Sequence, residues 1–120
     1  MKKANPSNPE LIKTIRLLKK SAKENDAKIW RKIAKALTKT KRQRIAVNLS
    51  RVNRYTKEGE TVAVPGKVLA AGAIDHPITV SAFSFSESAM AKIKMAKGKC
   101  ISYADLIKKN PKGTGVRIIG

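Results

Sequence analysis

Ile78-Thr79-Val80-Ser81-Ala82-Phe83-Ser84-Phe85-Ser86-Glu87-Ser88-Ala89-Met90-Ala91-Lys92-Ile93 is the stretch that decides the fold. Its first half alternates. Ile78, Val80 and Ala82 point to one face and Phe83 and Phe85 to the other, the period of a β-strand. Apolar residues on both faces imply a strand covered on both sides, at least at its end. Ser84-Phe85-Ser86-Glu87 has the spacing of a capping box, with the Ser84 hydroxyl accepting a backbone N–H of the first turn. Ser86 is the alternative cap. Ala89, Ile93 and Ala96 follow at helical spacing with Met90 beside them, and Gly98 offers a left-handed C-cap. A strand, a turn and a helix folding back on it make the central packing unit.

Downstream, Lys99-Cys100-Ile101 reads as a brief strand. Ser102-Tyr103-Ala104-Asp105 is a box-like cap on a helix with Leu106 and Ile107 inward, stopped at Asn110-Pro111. Lys112-Gly113-Thr114-Gly115 is a tight loop before a last strand, Val116 to Ile119. Upstream, Ala70 to Pro77 reads as a surface loop. Thr61-Val62-Ala63-Val64 is a strand ended by a Pro65-Gly66 turn, and Lys67-Val68-Leu69 is a second extended segment. Ile45 to Leu49 alternates as a short strand. Ser50 is the candidate cap of a short helix, Arg51 to Lys57, closed by Gly59. Strand-turn-helix therefore recurs over 45–57, 78–96 and 99–109.

The N-terminal part has a different period. Residues 1–7 form a basic flexible arm with Lys2, Lys3 and Pro6. Asn8 caps a helix, Pro9 fits its first turn, and Glu10 suits the positive end of the dipole. Leu11, Ile15, Leu18 and Ala22 make its apolar stripe. Asp26 is the expected cap of a second helix, where Trp30, Ile33, Ala34 and Leu37 are the buried face and Lys28, Arg31, Lys32 and Lys35 the basic one. The short link implies a helical hairpin. The expected fold is α/β: an N-terminal helical hairpin followed by irregular repeats of short strands and helices in a single compact domain. Within 8–120, that places the hairpin at 8–38, a basic segment at 39–58 and a strand/helix core at 59–120.

Charge bounds the function. Lys and Arg number 27 against 8 Asp and Glu in 120 residues, a net charge of +19. Such a chain repels itself when alone, and a polyanionic partner is the simplest reason to keep the charge. Residues 1–58 hold 18 Lys/Arg and 4 Asp/Glu, against 9 and 4 in 59–120, so the N-terminal half is the electrostatic footprint. A lone cysteine, Cys100, excludes an internal disulfide and a multi-cysteine zinc site. No apolar run approaches a membrane span and no signal peptide is visible, so a soluble cytosolic protein is expected.

The candidate phosphate contacts are Lys39, Lys41, Arg42 and Arg44 in the acid-free run 39–44, then Arg51 and Arg54, which share a helix face at i, i+3. Salt bridges to Glu58 or Glu60 are the competing reading for the two arginines. Lys67, Lys112 and Arg117 lie in or beside tight loops whose backbone N–H groups can hold a phosphate. Tyr55 adds a ring that stacks on a base or packs. Catalysis has little support. His76 reads as a surface histidine, Cys100 as a small core residue, and Gly66-Lys67 is no Walker loop because position 61 is Thr and Val68 replaces the Ser/Thr. No catalytic residue, metal ligand or cofactor site is expected.

Val64-Pro65-Gly66-Lys67-Val68-Leu69, Val80 to Ala89, and Asn110-Pro111-Lys112-Gly113-Thr114-Gly115-Val116-Arg117-Ile118-Ile119-Gly120 resemble the large-subunit ribosomal protein eighteen-e family of archaea and eukaryotes. That family is related to bacterial large-subunit ribosomal protein fifteen. Asn8-Pro9 and Val47-Asn48-Leu49-Ser50-Arg51 extend the similarity to nearly the whole chain, and the short length matches the archaeal form. The bacterial relative's long Gly-rich basic extension is replaced here by a seven-residue arm. The resemblance implies a cytoplasmic protein of the ribosome that binds large-subunit ribosomal RNA beside neighbouring large-subunit proteins. It implies no membrane and no small-molecule substrate. A DNA-compacting module, a basic membrane-surface protein and an enzyme are the other readings, in that order.

Overall fold

The computed structural model describes residues 9–38 and 45–120. Two amphipathic helices come first, α1 (Pro9–Asn25) and α2 (Lys28–Leu37). Leu11, Ile15, Leu18 and Ala22 of α1 and Trp30, Ile33, Ala34 and Leu37 of α2 are buried in one cluster, as their spacing predicts. The expected cap Asn8 lies outside the described residues. The link between the helices departs from expectation. Asp26 does not cap α2; its backbone is left-handed, φ 50. Ala27 N–H reaches back 3.0 Å to Ala22 O, the long bond of a Schellman C-cap. Ala27 then precedes α2 with no side-chain oxygen to offer. A short acidic side chain tolerates left-handed backbone better than most, so Asp26 ends one helix instead of starting the next.

The strands β1 (Ile45–Asn48), β2 (Thr61–Leu69), β3 (Thr79–Phe85), β4 (Lys99–Ile101) and β5 (Val116–Ile118) form one sheet. Every pairing in it is parallel. β3 takes one flank of β2. The other flank is shared, with β1 along Gly66 to Leu69 and β5 along Thr61 to Ala63. β4 lies outside β3. Parallel neighbours need crossovers. α3 (Leu49–Arg54) joins β1 to β2 and α4 (Glu87–Met95) joins β3 to β4, and both pack with Val62, Val64, Val68 and Val80 on one face. α5 (Tyr103–Lys109) follows β4 and leads back across the sheet toward β5. It packs on the opposite face with α1, α2 and Ala63. Travel in opposite directions across the sheet puts crossovers of one hand on opposite faces. The result is an α/β fold with the sheet between two helical layers.

The expected Pro65-Gly66 turn is instead the middle of β2, which runs unbroken through it. Proline cannot donate to a ladder and is tolerated in a sheet at bulges. A bulge is what forms: from Val64 to Val68 β2 advances four residues while β3 advances three, from Ala82 to Phe85. Gly66 lets β1 approach, because a Cβ there would collide with the Ile45 carbonyl. The bulge also corrects the reading of β3. Phe83 packs toward the helical pair, but Phe85 packs with the Val80 and Ala82 cluster, beyond the point where the register with β2 shifts.

The caps sort as follows. Ser86, not Ser84, caps α4 and accepts from Ala89 N at 3.1 Å, while Ser84 belongs to β3. Ser102 caps α5 as expected, accepting from Asp105 N at 3.1 Å. Ser50 is not a cap; it lies inside α3, whose preceding residue is Asn48. Gly98 is not the left-handed residue after α4. Lys97 is, at φ 66, with Gly98 N–H 2.9 Å from Ile93 O. Gly98 is required for another reason: a Cβ there would meet the Ile78 carbonyl.

Candidate nucleic-acid interface

Leu49 and Val52 turn α3 inward, which leaves Arg51 and Arg54 exposed on its outer side. Among the described residues neither arginine takes the salt bridge that competes with binding. Glu60 is held by the Lys57 backbone N–H at 2.7 Å and by Arg117 Nη2 at 3.3 Å. These two donors, Lys57 first, draw the Glu60 carboxyl below its ordinary range. The Arg51 guanidinium instead lies 5.4 Å from the centre of the Tyr55 ring, within cation–π range.

Lys67 is exposed. Alternation puts it on the sheet face opposite buried Val68, in register with Ala46 and Ser84. Lys112 and Arg117 have partners inside the fold. Lys112 Nζ donates to Asn25 O at 2.8 Å, satisfying a terminal carbonyl of α1. The same loop is docked on the helical pair through Trp30 Nε1, which donates to Pro111 O at 2.7 Å. Arg117 Nη2 pairs with Glu60 at 3.3 Å. Lys39, Lys41, Arg42 and Arg44 lie outside the described residues. Of the described candidates, Arg51 and Arg54 form a group with Tyr55, and Lys67, Lys112 and Arg117 stand apart from it on other elements.

His76 is less a surface histidine than expected. Its side chain is 16% exposed. Nε2 lies 2.7 Å from Thr56 Oγ1, and Nδ1 lies 2.8 Å from Asp75 Oδ1. The His76 ring, and then Asn53, hold the Asp75 carboxyl below its usual range. This line of hydroxyl, imidazole and carboxylate has the order of a hydrolase triad but not its chemistry. Thr56 is buried and its hydroxyl donates to Val52 O at 2.7 Å, so the oxygen is neither accessible nor free to attack. The group clasps the end of α3 to the 70–77 loop. Among the described residues no cluster of His, Cys, Asp and Glu could hold a metal ion. Cys100 is half-buried against the α3/α4 core, and burial pushes its thiol up.

Two anchors escaped the sequence reading. Tyr103 is buried at the start of α5 and its hydroxyl donates to Val64 O, the carbonyl beside the bulge. Lys92 Nζ donates to Ala70 O and Gly72 O, both at 2.8 Å, and pins the loop to α4. Each spans 20 residues or more, where local spacing carries no signal.

The family described as ribosomal protein 60S L18 and 50S L18e matches residues 1–120. Large ribosomal subunit protein eL18 of Methanoregula boonei is 51% identical over 113 residues, covering 94% of this chain and 93% of its own. The protein of the same name from Methanospirillum hungatei is 50% identical over 113 residues, with the same coverage of both chains, 94% and 93%. That of Archaeoglobus fulgidus is 44% identical over 113 residues, covering 94% of this chain and 97% of its own. Among the described residues no helix is long and apolar enough to cross a membrane.

Proposed function

The chain belongs to the family of ribosomal protein 60S L18 and 50S L18e, structural proteins of the large ribosomal subunit, and we propose that it binds ribosomal RNA there through phosphate contacts and stabilises the folded RNA. The observation that carries this reading is the net charge of +19, concentrated in residues 1–58. Lys13, Arg16, Lys28, Arg31, Arg51 and Arg54 are all exposed and so are available to an outside anion. Cationic side chains displace counterions from phosphates and hold neighbouring RNA helices together. A-form RNA hides its base edges in a deep, narrow groove, so shape and backbone dominate recognition. In this reading the run 39–44, with Lys39, Lys41, Arg42 and Arg44, grips phosphates. Arg51, Arg54 and Lys67 extend the grip, and neighbouring large-subunit proteins share the site. Lys112 and Arg117 contribute less, because each already has a partner within the fold.

The test is a titration of the protein with fragments of large-subunit ribosomal RNA over a range of salt. With ~6–10 phosphates engaged, affinity falls by roughly 10³–10⁵ between about 50 and 200 mM salt, by analogy with duplex DNA. The double change Arg42→Glu, Arg44→Glu lowers affinity and leaves the circular dichroism spectrum unchanged. Binding flat in salt refutes the phosphate mechanism. Duplex DNA that competes equally with the RNA points to a DNA-compacting module instead.

A further inference from the structure

This chain has five aromatic side chains, and four of them go into the fold. Trp30 and Tyr103 are buried, and Phe83 and Phe85 pack against the two cores. Tyr55 alone is exposed, at 47%. It sits at the C-terminal end of α3, its N–H 3.3 Å from Arg51 O, with the Arg51 guanidinium over its ring. Arg54, one residue away, is exposed. Tyr55 is thus a half-exposed ring with a guanidinium over it and a second exposed arginine next in sequence, the composition of a stacking surface.

The residues on either side of Tyr55 are held with unusual care. Asn53 Oδ1 accepts the Asp75 N–H at 3.2 Å. Thr56 Oγ1 bonds Val52 O and His76 Nε2, both at 2.7 Å, and His76 in turn bonds Asp75. These bonds make a polar clasp between α3 and the 70–77 loop. It ties the end of α3 to that loop, and the Tyr55 ring beside it is exposed with the Arg51 guanidinium over it. Preorganised stacking surfaces lose little entropy on binding.

We propose that Tyr55 and Arg51 form a stacking platform for a single unpaired nucleobase, flanked by Arg54 for its phosphate. The proposal rests on the RNA-binding reading and sharpens it: the ligand at this corner is a bulged or splayed-out nucleotide, not continuous duplex. Unstacked bases are recognised on aromatic faces and on arginine planes in this way.

The experiment compares two RNA hairpins of equal length and charge, one fully paired and one with a single bulged 2-aminopurine. The protein is expected to bind the bulged hairpin about 5- to 150-fold more tightly, the range that one base stacked on an aromatic side chain provides. The fluorescence of the 2-aminopurine is quenched on binding. Tyr55→Leu brings the ratio of the two affinities close to one and removes the quenching, and Tyr55→Phe keeps both. Equal affinity of the wild type for the two hairpins overturns the proposal, as does a preference that survives in Tyr55→Leu. If neither hairpin is bound in a salt-dependent way, the phosphate reading falls and takes this one with it.

Discussion

Removing one oxygen from Tyr103 tests the account of the central strand. Val64 is fully buried and stands at the bulge, where the ladder between β2 and β3 slips. The Tyr103 hydroxyl donates to its carbonyl. Tyr103→Phe keeps the ring and its packing and leaves that carbonyl without its donor. The cost of such an orphan is about 1–3 kcal/mol. For 120 residues the entropy of unfolding is roughly 0.25 kcal/mol per degree, so the melting temperature drops by roughly 4–12 °C. Thermal unfolding followed by circular dichroism, in enough salt to screen self-repulsion, reads this directly. A second readout comes from alkali. Burial pushes the Tyr103 phenol well above its ordinary value, against the pull of the Gly66 and Phe83 amides. A group whose folded pKa is raised contributes its full stability below the unfolded pKa, about 10 for tyrosine, and loses it as pH rises through the folded value. The stability gap between wild type and Tyr103→Phe therefore narrows above about pH 10. A variant that melts within 2 °C of wild type, or a gap constant from pH 8 to 11, refutes the role assigned to this hydroxyl.

Gly66→Ala pushes a methyl group into the Ile45 carbonyl, so β1 must move off β2. A loss of about 3 kcal/mol or more is expected in urea unfolding, and a loss below about 1 kcal/mol contradicts the close approach. Lys97→Gly acts in the other direction. It relieves a left-handed residue that costs about 1–2 kcal/mol and adds about 0.5–1 kcal/mol of unfolded-chain entropy, for a net gain of roughly 0.5–1 kcal/mol. A loss of stability in that variant shows that the Lys97 side chain makes a favourable contact outweighing its strained backbone.

Periodicity was sufficient for the helical pair. Leu11, Ile15, Leu18, Trp30, Ile33 and Leu37 lie where their spacing puts them, because an amphipathic stripe needs only one apolar surface to face. The repeated strand-turn-helix units were legible for the same reason. Misreadings gather where a tertiary contact outweighs a local preference. Pro65-Gly66 has the composition of a turn, yet the pairing of β2 with β3 before and after it, and of Gly66 with β1, holds it in a strand, and a bulge accommodates the proline. Asp26 and Lys97 took left-handed positions usually assigned to glycine. For the interface, the sequence marked Arg51 and Arg54 as cations on one face, and both are exposed. It did not show that Lys112 caps α1 or that Arg117 pairs with Glu60, because those partners are 87 and 57 residues away. Nor did it separate Tyr55 from the other rings, since exposure is settled only when the helix end is fixed.

The shared flank of β2 has a consequence for the order of synthesis. Thr61 to Ala63 emerge early, but the strand that covers that side, Val116 to Ile118, comes some 50 residues later. At about 5–20 residues per second the wait is roughly 3–10 s. Throughout it the nascent chain carries a bare row of peptide groups at its centre, and α2 waits longer still, since the carbonyl of Pro111 that meets Trp30 lies 81 residues on. A chain interrupted before Val116 would keep that row uncovered, an edge open to pairing with another strand.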